Sequence, residues 1–278
     1  MAKTKKYISP AAATDETGIL IPAITRLRRR VGRLGYRPDL PDLRDWLAER
    51  VFPRGMPLPA EVDQSAADSP VEHQGGLGSC TAQAGIGALE FLDRKADGAH
   101  TDLSALALYY WTREARGDES EDSGATLRET CKQLAKGVCP LSAWPYEPAR
   151  FAESPGPEAE GMRSAHRAAA YYRIGPVNRA YHIKAALASG YAVLGGMMLC
   201  ESAFTDAVSA DGRIPMPRLT DLPAGGHAVL LRGYSDRTDT YRFRNSWGPE
   251  WGDRGYGIIP QAYVHNPLLF ADVWAVRK

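Results

Sequence analysis

The chain has 278 residues, of which 44% are hydrophobic, 24% charged and 9% aromatic. That composition excludes disordered, collagen-like and coiled-coil classes and fits a water-soluble globular enzyme or binding domain; its longest apolar stretches, Tyr191 to Leu199 and Ala228 to Leu231, are far shorter than the ~20 residues a spanning helix needs. Lys and Arg number 34 against 33 Asp and Glu, yet residues 1–57 carry 12 basic and 6 acidic residues (+6) and the remainder 22 and 27 (−5), an asymmetry able to steer one part onto the other or onto an external partner.

In chain order, Met1 to Lys6 is basic, but Tyr7 to Gly18 is polar, acidic and proline-interrupted where a secretory apolar run would stand, so no ordinary signal peptide is expected. Residues 1–57 are Pro-punctuated, with short periodic runs at Ile19 to Leu34 and Leu43 to Phe52, too little to close a core alone. Helical periodicity follows at Cys80 to Lys95, Leu103 to Ala115 and Leu127 to Lys136, separated in part by an acidic surface loop, Gly117 to Gly124. After the Pro/Glu/Gly-rich stretch Glu153 to Gly161 the pattern becomes apolar, β-branched and aromatic. Strands are predicted at Tyr191 to Met198, Ala228 to Tyr234, Thr240 to Asn245, Gly255 to Ile259 and Ala271 to Val276. A helix at Ile183 to Ser189, closed by Gly190, interrupts them. The order predicts an α+β fold of two lobes, helical over about 58–160 and β over about 161–278, with a cleft between them.

Four cysteines without a CxxC or a Cys/His zinc spacing imply no disulfide scaffold and no metal, and point to a reducing compartment. Taken singly, a cysteine is usually a small buried hydrophobe, a histidine entering a strand is usually structural, and an Asn before glycine is usually a turn former. Cys80, however, follows the glycine-rich loop Gln74-Gly75-Gly76-Leu77-Gly78-Ser79 and opens a predicted helix, where the positive end of the macrodipole favours thiolate. Farther on, His227 lies in Gly225-Gly226-His227-Ala228-Val229, and Asn245-Ser246-Trp247-Gly248 follows 18 residues after it.

Together, Gln74 six residues before Cys80, the histidine motif and the run Asn245 to Gly257 resemble the papain-like cysteine peptidases in order, spacing and local sequence. Leu58-Pro59-Ala60-Glu61-Val62-Asp63 resembles the start of the mature domain, and Trp144-Pro145-Tyr146-Glu147-Pro148 resembles a further family stretch, so the likeness covers about 58–278. It implies a papain-like fold and peptide-bond hydrolysis without a cofactor. Cys80 would be the nucleophile, held as thiolate by an ion pair with the His227 imidazolium, which would later give its proton to the leaving amine, and Asn245 would hold the imidazole's orientation. Gln74 and the Cys80 backbone N–H would form the oxyanion hole, and Trp247 would cover the His227–Asn245 bond. Gly78 and Gly124 would offer backbone to an extended peptide, with Ala125 and Thr126 lining the pocket for the second residue before the scissile bond.

Departures from the family accompany the likeness. Leu77 and Thr81 stand where Cys and Trp are usual, so the disulfide beside the nucleophile cannot form, and Cys131, Cys139 and Cys200 are expected as unpaired thiols. Cytoplasmic location is the default expectation, with unconventional export left open. Residues 1–57 lie where a zymogen's propeptide would, and Gly35 to Asp45 is extended and suited to a groove, so the chain's own amino-terminal segment is the expected inhibitory partner. The rival readings are a surface strap or a partly disordered tail, or a nucleic-acid or lipid patch at Arg26 to Arg33, which lacks accompanying aromatics. For the whole chain, the alternatives are a non-catalytic scaffold and an acyl transferase using the same thioester.

Overall fold

The computed structural model describes residues 34–98 and 100–278, so most of the Ile19 to Leu34 run and the Arg26 to Arg33 patch lie outside the described residues. Three helices form the first lobe: α1 (Cys80–Asp97), α2 (Ala105–Glu114) and α3 (Leu127–Lys136). α1 is buried from Cys80 through Asp93 because it runs between the other helices and the sheet. Its glycines permit that approach, since a Cβ on Gly85 would stand 3.0 Å from Leu108 and Thr130 side-chain atoms, and Gly98, with φ of 70°, ends it in the left-handed region. α2 and α3 have capped starts: the Ala107 N–H donates to Ser104 Oγ, and the Glu129 N–H to Thr126 Oγ1. The short helix α4 (Pro157–Met162) closes this half.

The second half is built on an antiparallel sheet. Its strands are β1 (Glu61–Asp63), β2 (Ala170–Arg173), β3 (Ala192–Cys200), β4 (Pro223–Ser235), β5 (Thr240–Arg244), β6 (Tyr256–Pro260) and β7 (Phe270–Arg277). They run in the order β2-β7-β3-β4-β5-β6, with β1 on β4. Alternation explains why the central strands read as unbroken apolar runs. Ala192, Leu194, Ala228, Leu230, Trp274 and Val276 face the helices, whereas Val193, Met197, Leu199, Val229, Leu231, Val273 and Ala275 face a second core. Both sheet faces are therefore dry.

Three further helices, α5 (Arg179–Ala188), α6 (Asp206–Asp211) and α7 (Gln261–His265), serve the sheet half. The predicted helix at 183–189 begins four residues earlier, and β4 begins five residues before the predicted strand. His227 is thus paired with Met197 inside the sheet rather than standing at its mouth. β1, β2, α6 and α7 carry no periodic signal because each spans only three to six residues. The amino-terminal segment joins the body: Ala48 and Phe52 are buried in the second core, and the Phe52 ring meets Tyr191 edge-on at 4.9 Å.

Candidate active site

Gly75, at φ of 63°, turns the loop that delivers Cys80 to the first position of α1. Ser79 at the cap makes no side-chain hydrogen bond to the helix amides, so the first-turn amides remain to face the thiol. Backbone N–H groups of Cys80 and Thr81, of Ala228 across the cleft, and of Gly35 all favour the sulfur's anion. Burial opposes them and wins in this form, pushing the thiol up to about 11. His227 is fully buried as well, and burial pushes its imidazole down to about 4 against the support of Asn245. Burial thus opposes both charges of the expected thiolate–imidazolium pair while the cleft is covered.

The hydrogen bonds determine the histidine tautomer. Asn245 Oδ1 accepts from the Ser246 N–H at 2.9 Å and lies 2.8 Å from His227 Nε2. A carbonyl oxygen only accepts, so Nε2 carries the proton and Nδ1 presents a lone pair, and Nδ1 has no hydrogen-bond partner among the described residues. Trp247 stacks on the imidazole with centroids 4.6 Å apart, and Trp251 braces it edge-on at 5.2 Å. Trp247 is buried there, which makes it a shield for the His227–Asn245 bond. Asn245→Ala is expected to lower the hydrolytic rate about 10- to 100-fold by releasing the ring from its tautomer and orientation, with an unchanged far-UV spectrum; unaltered steady-state rates would remove Asn245 from the chemistry.

Gln74 is fully buried and locked at both ends of its amide. Its Oε1 accepts from Ser246 Oγ at 2.6 Å, its Nε2 donates to the Leu77 carbonyl at 2.8 Å, and its backbone N–H donates to the Ser246 carbonyl. Tyr146 adds a second brace, donating to the Gln74 carbonyl at 2.9 Å and lying 2.7 Å from Ser79 Oγ. Sequence reasoning assigns no role to Tyr146 or Ser246, although both sit inside the motifs that carry the family resemblance. Cys80, His227, Asn245 and Gln74, spread over 172 residues, thus meet where the helical lobe touches the sheet.

Residues 58–266 match the model of the papain family of cysteine proteases. The chain belongs to that family. It is 35% identical over 213 residues to an uncharacterised peptidase C1-like protein of Acanthamoeba polyphaga mimivirus, covering 74% of this chain and 68% of that protein. It is 26% identical over 209 residues to chymopapain of Carica papaya, covering 71% of this chain and 54% of that protein's length. The structure of xylellain, a cysteine protease from Xylella fastidiosa, is similar with a TM-score of 0.78 and 33% identity, over 90% of this chain and 98% of that one. Digestive procathepsin L 3 of Tenebrio molitor, 20% identical with a TM-score of 0.68 over 98% and 84% of the two chains, shares the fold. This papain-family protein is a cysteine protease, and among its described residues no helix is long and apolar enough to cross a membrane.

The cleft of this papain-family chain is filled by its own residues 34–39. Gly35 passes so close that a Cβ there would overlap the Gly78 carbonyl, and a Cβ on Gly124 would overlap the Gly35 carbonyl. The Ala125 N–H donates to the Gly35 carbonyl at 2.8 Å, the Arg37 N–H to the Ala125 carbonyl at 2.9 Å, and the Tyr36 N–H to the Gly226 carbonyl at 3.1 Å. Gly78, Gly124 and Ala125 therefore flank an extended peptide, whereas Thr126 caps α3. The acidic loop is less of a surface feature than its composition suggests. The Asp122 carboxylate accepts from the Gly78 N–H at 3.0 Å and from Tyr109 Oη at 2.5 Å, and the same Tyr109 oxygen accepts from the Gly124 N–H. Asp122 and Tyr109 thus tie the two walls together on the side where Leu77 excludes a disulfide, and all four cysteines are free.

Beyond the cleft the segment is anchored by acids. Asp45 accepts from Arg128 at 2.7–2.8 Å and from Arg173 at 3.0 Å, and the Asp39 carboxylate accepts from Trp274 Nε1 at 2.8 Å and the Arg128 N–H at 3.0 Å. Residues 34–57 hold four basic and four acidic residues. Within the described residues, the segment is held by particular carboxylates and not by the net positive charge that the whole of 1–57 carries.

Proposed function

We propose that this protein is a cysteine endopeptidase that works through an acyl-enzyme and is latent while residues 34–57 lie across its cleft. The observation that carries the reading is the position of Gly35, whose N–H is directed at the Cys80 sulfur from between Gly78 and Gly124. An occupant there excludes both substrate and the water that would stabilise ionised Cys80. Once it leaves, the His227 Nδ1 lone pair accepts the thiol proton, and the sulfur attacks the peptide carbonyl carbon. Negative charge develops on the carbonyl oxygen, near the Cys80 N–H and the Gln74 amide. His227 then returns the proton to the departing amine, and water releases the acyl group by the reverse sequence. Residues 1–57 act as the regulatory segment and 58–278 as the peptidase domain, and the four unpaired thiols suit a reducing, cytoplasmic setting.

The pH dependence of Cys80 alkylation tests the covered state. In the full chain, iodoacetamide is expected to modify Cys80 slowly at neutral pH, with a rate that climbs toward the thiol's value of about 11. Higher pH generates more thiolate, so the slope is positive throughout. Displacing the segment should move the midpoint toward neutrality. A Cys80 that reacts rapidly at pH 7 in the intact chain would overturn latency, and a peptide-hydrolysis assay with Cys80→Ala as control tests the peptidase itself.

A further inference from the structure

The reading above leaves open which peptides the enzyme takes, and the side chain that the amino-terminal segment buries beside the nucleophile bears on this. Tyr36 is the neighbour of Gly35. Its ring lies where any side chain on Gly196 would stand, and a Cβ on Gly226 would stand 2.9 Å from Tyr36 Cδ1, so the body of the protein has kept two backbone positions bare to form this pocket. Its floor is the carboxylate of Asp272, itself buried, whose Oδ2 accepts from Tyr36 Oη at 2.5 Å while its Oδ1 accepts from Arg173 Nη2 at 3.0 Å. Desolvation and the neighbouring Asp272 push the Tyr36 hydroxyl far above its ordinary range, so it remains a donor.

We infer that this pocket makes the enzyme selective for peptides that place a tyrosine, rather than a phenylalanine or a basic residue, in the position Tyr36 fills. The inference rests on the peptidase reading only for its consequence in turnover. Two arguments carry it. First, among the described residues Asp272 Oδ2 accepts from only one other group, the Asp39 N–H at 2.7 Å, which leaves with the segment; a phenylalanine substrate would then fill the same volume and give that buried oxygen no donor, and sites built around a hydroxyl reject the analogue that lacks it. Second, the acid on the floor does not make this a pocket for a cation. When the segment leaves, Asp39 and Asp45 leave with it, whereas Arg173, in contact with Asp272, and Arg128, which had held Asp45, stay. Asp272 then keeps the Arg173 guanidinium in contact, with the buried Arg179 close enough to feel it and Arg128 stripped of its Asp45 partner. A third or fourth positive charge is opposed by repulsion, whereas a neutral phenol brings the hydrogen and no charge.

Two measurements on the full chain test this. In the first, Tyr36 is replaced in place and covering of the cleft is read by Cys80 alkylation at pH 7. Tyr36→Phe is expected to raise the rate about 10- to 100-fold, and Tyr36→Arg at least as far. A Phe variant as slow as the parent, or an Arg variant slower, would overturn the selectivity. In the second, the Gly35→Val/Tyr36→Ala chain is given peptides that differ only in the second residue before the bond to be cut. Tyrosine is expected to exceed phenylalanine and arginine by about 10-fold or more in kcat/KM, and Asp272→Ala should bring tyrosine and phenylalanine within about threefold. Equal or reversed preference in the parent would sink the inference while leaving the peptidase intact. If no peptide is cut but Tyr36→Phe still uncovers Cys80, the peptidase reading fails and the pocket's preference stands. Should Asp272→Ala not fold, Asp272→Asn, which keeps an oxygen, is expected to retain part of the preference.

Discussion

Gly35→Val in the full chain is expected to raise kcat/KM for peptide hydrolysis about 5- to 150-fold. The residue has no room for a side chain, because a Cβ would overlap the Gly78 carbonyl and lie against its Cα. Those atoms are backbone, tied in turn to Asp122 at 3.0 Å, so the wall cannot yield cheaply. Overpacking of this kind typically costs about 1–3 kcal/mol, and that cost falls on the covered state alone. The burial of Ala48 and Phe52 should keep the end of the segment docked and the fold intact while the stretch from Leu34 through Asp45 leaves the cleft. A matching rise in Cys80 alkylation, with an unchanged melting temperature, would locate the effect at the cleft. Unchanged hydrolysis despite faster alkylation would mean that the segment covers the thiol without governing turnover.

The second large effect belongs to His227. In the Gly35→Val background, His227→Ala is expected to lower kcat/KM by about 10³- to 10⁵-fold, since the site loses both the base that takes the thiol proton and the acid that protonates the amine. Geometry gives no substitute. The neighbouring titratable acids serve other partners, with Asp122 on the far wall and Asp272 under the Tyr36 pocket. The variant should still bind peptide, so KM should move far less than kcat. Residual activity within tenfold of the parent would dismiss His227 as the proton carrier and favour the scaffold reading of the fold.

What could be read in the sequence and what could not divides along a physical line. Cys80, His227, Asn245 and Gln74 were legible because each sits in a local pattern whose chemistry needs close neighbours: a glycine-rich turn into a helix, a strand entered through two glycines, and an Asn beside a tryptophan. The central strands and the three long helices were legible because burial imposes a period on ten or so consecutive residues. The short elements β1, β2, α6 and α7 carry too few residues for any period and are stabilised by their partners in space.

The sequence by itself therefore determined the candidate reactive groups, the α+β order of the chain and the lack of a second cysteine beside Cys80 for a disulfide. Tertiary structure alone decided the rest. Asp122 reads as one acid of a surface loop and Asp272 as a polar residue in a predicted strand until folding sets one against Gly78 and the other beneath Tyr36, 44 and 236 residues away. Tyr36 and Gly35 become the plug of the cleft only because the chain crosses it at that register. Burial then opposes the charge state that the helix terminus alone would favour, because excluding water from Cys80 and His227 raises the thiol and lowers the imidazole against the amides aimed at the sulfur.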